Sequence, residues 1–168
     1  EACVGPSHRS SVSTLDDLLR RDGVPGISGV DTRAIIRRLR TNGTMRGGIT
    51  TSGPETMLER VTRMRHPEKD NLVGTVSTKK VLEFRSGKAR TVAVLDCGVK
   101  KDIILALRER FDVVQLPFDT SESDIRALDP DSVFITNGPG DPSHPEVVGS
   151  TVRTIAALKD DYPMMGIC

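Results

Sequence analysis

Cys168 closes the run Pro163-Met164-Met165-Gly166-Ile167-Cys168. A short apolar stretch that follows a proline and ends on a cysteine reads as a buried parallel strand presenting a thiol at its carboxyl end. A thiol so placed can attack an acyl carbon and form a thioester. Gly166, two positions ahead, would give a strand-to-helix elbow the packing room it needs. The alternative is a cysteine buried in the core, since free cysteine is among the most buried residue types. These six residues alone leave both readings open.

A second stretch favours the chemical one. Val133-Phe134-Ile135-Thr136 is another short apolar run, followed at once by Asn137-Gly138-Pro139-Gly140-Asp141-Pro142. Two glycines and two prolines in six residues neither continue a strand nor start a helix smoothly. The spacing predicts a rigid turn at the carboxyl end of a strand, where open α/β sheets place their ligands. Glycine there lets the backbone approach a ligand and aim its N–H groups at it, and such N–H groups stabilise an oxyanion. A thiol at one strand end and this loop at another compose an acyl-transfer site.

Other chemistries find less support. The three cysteines, Cys3, Cys97 and Cys168, show no metal-ligand spacing, and no metal site is expected. An odd count of sparse cysteines fits a reducing cytoplasm. Formal net charge is +1 and only 3% of residues are aromatic, so neither nucleic acid nor a membrane surface is an expected partner. No apolar run has the length of a membrane span. A hydrophobic fraction of 36% beside 28% charged residues, in 168, suits one globular core or two small ones.

The elements that must position these residues follow from periodicity. From Thr91 onward strands and helices alternate: strands at 91–95, 112–116, 132–136 and 164–167, helices at about 99–110, 122–128 and 146–158. Short connections between them imply right-handed βαβ units and a parallel sheet. The strands at 91–95, 132–136 and 164–167 should lie side by side. Cys97, Gly138 and Cys168 then share one sheet edge, Gly138 and Cys168 closest, and a β-carbon at Gly138 or Gly140 would intrude on the space facing the thiol. Cys97 is read as a packing residue.

Before Thr91 the pattern differs. Thr14–Arg21 is a short helix, and Asp31 caps another whose apolar stripe is Ala34, Ile35, Ile36 and Leu39. Arg33, Arg37, Arg38 and Arg40 on its other face form either a solvated surface or an anion or partner site. A short strand is expected at Ile49–Thr51, and a helix from Pro54 with Met57, Leu58, Val61 and Met64 inward. Asp70–Ser77 reads as extended. Thr78–Arg90 is basic and poor in apolar residues, and reads as an inter-domain linker with a hairpin near Ser86-Gly87. The expected organisation is 1–77, a partial N-terminal domain; 78–90, a linker; and 91–168, the first half of the α/β domain.

Asn137-Gly138-Pro139-Gly140-Asp141-Pro142 followed by Met165-Gly166-Ile167-Cys168 resembles the class I, or triad, glutamine amidotransferases. Three further stretches narrow the resemblance to the small, glutamine-hydrolysing subunit of carbamoyl phosphate synthetase. They are Gly26-Ile27-Ser28-Gly29-Val30-Asp31-Thr32-Arg33, Gly43-Thr44-Met45-Arg46-Gly47 and Leu95-Asp96-Cys97-Gly98-Val99-Lys100. The resemblance implies an α/β fold: a parallel-sheet, flavodoxin-like amidotransferase domain, incomplete at its C-terminus, preceded by part of a small mixed α/β domain. It implies Cys168 as the nucleophile on the glutamine side-chain amide, Gly138 N–H in the oxyanion hole, and Gly140 as a backbone contact to bound glutamine. It implies a large synthetase subunit as partner, which uses the ammonia with bicarbonate, ATP and Mg, and no cofactor on this subunit. The products serve arginine and pyrimidine synthesis.

The family's catalytic histidine and glutamate lie in a His-Pro-Glu well downstream of the nucleophile, beyond Cys168. The polypeptide by itself is therefore expected not to turn over glutamine. His144-Pro145-Glu146 spells the same tripeptide but precedes Cys168, and is read as a loop residue, a helix N1 proline and a first-turn carboxylate. The other readings are another triad amidotransferase, of the anthranilate or GMP synthase type, and a non-catalytic flavodoxin-like interaction module.

Overall fold

The structure is a computed structural model that describes residues 5, 6 and 8–168, so Cys3 lies outside the described residues. The chain divides into two compact units, Glu1–His66 and Pro67–Cys168.

In the first unit, α1 (Leu15–Arg21), α2 (Thr32–Asn42) and α3 (Pro54–Arg63) form near their expected places, but no residue of α3 is buried and Leu58 and Met64, expected to face inward, are exposed. Thr14 caps α1 through a reciprocal pair with Asp17, and Asp31 caps α2 by accepting from Ala34 N–H at 2.9 Å. Arg33, Arg37, Arg38 and Arg40 are all exposed, as a solvated face requires. The expected strand at Ile49–Thr51 does not form. Instead Gly48 packs its bare backbone against the side chains of Met57 and Val61 on α3.

The second unit is a five-stranded sheet in the order β1-β3-β2-β4-β5. β2 (Thr91–Asp96), β3 (Asp112–Pro117), β4 (Ser132–Ile135) and β5 (Met164–Gly166) run parallel, and β1 (Leu82–Phe84) joins β3 antiparallel at the edge. The central strands are buried on both faces, as the apolar Val92–Leu95 of β2 and Val113, Val114 and Leu116 of β3 require. Successive residues alternate between two cores. Ala93, Leu95, Val114, Leu116 and Val133 pack with Ile125 of α6 (Glu122–Ala127) and Leu158 of α8 (Arg153–Leu158). Val92, Val94, Val113 and Phe134 pack with Ile104 of α5 (Lys101–Arg108).

The helices therefore cover opposite faces, α5 on one and α6 with α8 on the other. The chain leaves β2 toward β3 and leaves β4 toward β5, in opposite directions from neighbouring strands. The gap between the ends of β2 and β4 is thus the topological switch point of the sheet, where open α/β folds bind ligands.

Two expectations before Thr91 are corrected. Residues 71–77 are not extended: α4 (Leu72–Val76) is a short helix capped by Asn71, whose Oδ1 accepts from Gly74 N–H at 2.7 Å, with Val73 buried. Residues 78–90 are not a free tether, because β1 lies within them and pairs with β3 from Leu82–Gln115 to Phe84–Val113. Asp112 fastens the turn that follows β1, its Oδ1 accepting from the N–H groups of Ser86 (2.7 Å) and Lys88 (3.1 Å). Gly87, at φ 74°, supplies the left-handed step of that turn. β1 does not pair with β2, so the expected hairpin is absent, and the units divide after His66 instead.

Candidate functional site

Fifteen residues enclose a cavity of about 310 Å³ at the carboxyl end of the sheet, over the switch point. Cys97, Gly138, Gly140 and Cys168 all line it: Cys97 follows β2, both glycines lie in the loop after β4, and Cys168 follows β5. The volume lies at the small end of ligand pockets, about 300–1,000 Å³.

Cys168 is exposed, and Ile167 N–H holds the strand end to Ile135 C=O at 3.1 Å. Its φ is 90°, a region that L-residues other than glycine rarely adopt. A β-carbon at Gly166 would sit 4.0 Å from Ile135 O, an ordinary contact with β4.

The loop after β4 is built on backbone packing. Cys97 N–H donates to Thr136 Oγ1 at 2.9 Å, and that hydroxyl donates to Asn137 C=O at 2.9 Å. Thr136 N–H in turn donates to Leu95 C=O at 3.1 Å. Gly138 then lies directly on the carbonyl of Cys97. A β-carbon at Gly138 would stand 2.9 Å from the Cys97 carbonyl carbon and 3.0 Å from its Cβ, and nearer still to its oxygen. At Gly140 the chain is left-handed, φ 82°, and a β-carbon would meet Leu72 of α4 at 3.4 Å. The two glycines are therefore required by Cys97 and by backbone sign. The expectation that their β-carbons would project toward the thiol is corrected. Beyond them, Asp141 Oδ1 accepts from Ser143 N–H and Oγ at 2.8 Å each, which holds its carboxyl below the usual range.

Cys97 is buried, packed with Val73 and Val147, and burial pushes its thiol up from the ordinary value, partly offset by the neighbouring Thr151 side chain. It is the packing residue the sequence suggested, although it also borders the cavity. His144 is not among the lining residues. It caps α7 (Pro145–Val147), its Nδ1 accepting weakly from Glu146 N–H at 3.4 Å. A π-helical stretch, Val148–Val152, continues α7 into α8 and contributes Thr151 and Val152 to the cavity wall, with Ile155 one turn on. Thr151 Oγ1 donates to Phe118 C=O at 2.6 Å and Thr154 Oγ1 to Thr120 C=O at 3.1 Å, which pins that wall to the loop after β3.

Sequence reasoning missed α4. Val73 lines the cavity, Leu72 backs Gly140, and Val76 lies against Gly98. The available signal was Asn71, a capping residue three places before Gly74.

Two family models match the chain. Residues 1–49 match "Carbamoyl-phosphate synthase small chain, CPSase domain", and residues 93–168 match "Glutamine amidotransferase class-I". The chain is 43% identical over 171 residues to the carbamoyl phosphate synthase small chain of Methanopyrus kandleri, covering 98% of this chain and 46% of that one. It is 40% identical over 166 residues to the small chain of Clostridium acetobutylicum, covering 97% and 46%. Against that of Archaeoglobus fulgidus it is 37% identical over 171 residues, covering 100% and 47%. The chain spans about half the length of these relatives. With a class I amidotransferase match over the unit that carries the cavity, and a small-chain match before it, the chain belongs to the carbamoyl phosphate synthase small-chain family of glutamine amidotransferases.

Proposed function

We propose that this chain is the part of a glutaminase subunit that carries the nucleophile, and that the whole subunit feeds ammonia to a large synthetase subunit. The observation that carries the reading is the convergence of Cys168, Gly138 and Gly140 on one small cavity at the switch point. The Cys168 thiolate adds to the side-chain carbonyl carbon of glutamine, and Gly138 N–H offers a hydrogen bond to the oxygen as it gains charge. The carbon–nitrogen bond breaks, nitrogen leaves as ammonia with an added proton, and a γ-glutamyl thioester remains. Water then cleaves the thioester to glutamate and returns the thiol. Gly140 contacts the bound glutamine through its backbone.

The base and its orienting acid are the histidine and glutamate that the family places downstream of the cysteine, and the second oxyanion N–H belongs to the residue after it. Residues 1–168 alone thus do not sustain turnover, since losing a triad's base costs several orders of magnitude in rate. The large subunit combines the ammonia with bicarbonate, at the expense of ATP with Mg, to give carbamoyl phosphate for arginine and pyrimidine synthesis in the cytoplasm. No cofactor resides on this subunit. No helix among the described residues is long and apolar enough to cross a membrane.

The test is Cys168→Ser in the complete synthetase. Glutamine-dependent synthesis should vanish while synthesis from added ammonia persists. Undiminished use of glutamine would overturn the proposal.

A further inference from the structure

Asp96 carries four hydrogen bonds and is 3% exposed, yet it takes no part in the chemistry above. Its Oδ1 accepts from Gly98 N–H at 2.9 Å and Val99 N–H at 2.8 Å. Its Oδ2 accepts from Thr78 N–H at 2.9 Å and Gln115 Nε2 at 2.8 Å. One carboxylate thus joins three parts of the second unit: the Cys97–Val99 turn after β2, the side chain of β3, and the end of the segment that carries α4.

Two of these parts, the turn and the α4 segment, support the glycine loop. The Cys97 carbonyl is the surface on which Gly138 rests, and Gly98 stands 3.3 Å from Gly138 Cα and 3.0 Å from Pro139 Cδ, measured from where its β-carbon would be. The Asn71–Thr78 segment crosses the same sheet edge as a strap. Leu72 backs Gly140, Asn71 Nδ2 donates to Glu146 Oε2, and Ser77 Oγ accepts from Phe118 N–H at 3.0 Å. Thr78 on Asp96 is the strap's last fixing point.

We propose that Asp96 is a positioning residue for glutamine hydrolysis. Its carboxylate locks the Cys97–Val99 turn to the Asn71–Thr78 strap, and so fixes where the Gly138 and Gly140 backbones stand over the cavity. This rests on the glutaminase reading above. The group must be a carboxylate because it faces four donors: an amide would turn its own NH₂ on two of them. Such a site is unforgiving, since a buried donor left without an acceptor loses its water and gains nothing in return.

The experiment compares native, Asp96→Asn and Thr78→Pro forms of the complete synthetase. Thr78→Pro deletes one strap N–H and leaves the turn's bonds intact; Ser77, at ψ 146°, already has the extended backbone a following proline needs. Displacing a positioned group by about 1 Å costs on the order of 10²-fold, so Asp96→Asn should lower glutamine kcat/KM by that much and leave ammonia-dependent synthesis within about twofold. The loss in Asp96→Asn should fall on both kcat and KM, because the turn under Gly138 and the strap behind Gly140 both loosen. In Thr78→Pro it should fall mainly on KM, because only the strap is freed. Amide exchange at Gly98 and Val99 should accelerate in Asp96→Asn alone.

Native-like use of glutamine by Asp96→Asn would overturn the inference. So would a parallel loss of glutamine- and ammonia-dependent synthesis, which marks general unfolding rather than positioning. A native enzyme unable to use glutamine would overturn the glutaminase reading and this inference with it, whereas a glutamine-using native enzyme beside an unaffected variant overturns the inference alone.

Discussion

Gly138→Ala is the most demanding test of how the glycine loop is held. The added β-carbon would stand 2.9 Å from the carbonyl carbon of Cys97 and 3.0 Å from its Cβ. The Cys97 carbonyl oxygen lies nearer still, and since non-bonded heavy atoms pack best at about 3.5–4.0 Å, the two backbones must part by more than about 1 Å. Neither side yields easily. Cys97 N–H is held by Thr136, and Thr136 N–H is held by β2. Overpacking of this kind costs about 1–3 kcal/mol. For a unit of this size each kcal/mol moves Tm by roughly 4–8 °C, which predicts a fall of about 5–20 °C. The same displacement carries the Gly138 N–H off its aim, so glutamine-dependent synthesis should drop on the order of 10²-fold. Two companions calibrate the measurement. Gly140→Ala meets only an ordinary contact at 3.4 Å but keeps a left-handed backbone, so it should cost about 1 kcal/mol. Gly149→Ala meets nothing within 4 Å and lies in a helical stretch, so it should be neutral or gain roughly 0.5–1 kcal/mol. Circular dichroism melts of the three variants give the order. A Gly138→Ala protein that melts with the native chain would refute the packing argument.

Three further outcomes are expected. Alkylation followed by peptide mass spectrometry should label exposed Cys168 at neutral pH and leave Cys97 protected; because burial raises its pKa, Cys97 should react only at a pH above that of an ordinary thiol, or on unfolding. By the same shift, the Cys97 contribution to stability is fully present while that thiol is protonated and is lost as pH rises past the ordinary thiol value toward the raised one, a decline that Cys97→Ala should remove in alkaline melts. Limited trypsin digestion should cut after Arg63 or Arg65 before Arg85 or Lys88, because the units part after His66 while residues 85–88 are fastened by Asp112; Asp112→Asn should bring cleavage at Arg85 and Lys88 forward.

The sequence made the parallel sheet and its loaded edge legible for a physical reason. Runs such as Val92–Leu95 and Val113–Leu116 are buried on both faces, so they announce themselves as strands rich in β-branched and aliphatic residues, broken only at Gln115. The glycine loop was legible because Asn137–Pro142 has no other conformational use. The purpose of its glycines was not, since it depends on what lies opposite and on backbone sign: the Cys97 carbonyl for Gly138, and a left-handed φ beside the Leu72 side chain for Gly140. α4 was misread because Leu72-Val73-Gly74-Thr75-Val76 contains two β-branched valines, a threonine and a glycine, all weak helix formers. The Asn71 cap and the burial of Val73 override that local preference. β1 was hidden among Lys79, Lys80, Arg85 and Lys88. Charges of that kind are how an edge strand avoids pairing with other chains, so polarity there argued wrongly for a linker. Asp96 drew no attention because a single aspartate carries no periodicity, and its four partners come from positions 78 to 115.

The measurement closest to the central claim is direct detection of the acyl-enzyme. The complete small chain is mixed with glutamine, quenched in acid within a turnover, digested and weighed peptide by peptide. A γ-glutamyl thioester should appear on the peptide that ends β5, on Cys168, and disappear in Cys168→Ser. Cys97 should carry none, being buried beneath Gly138 with a raised pKa. Glutamyl mass on Cys97, or glutamine consumed with no adduct on Cys168 at any quench time, would contradict the account.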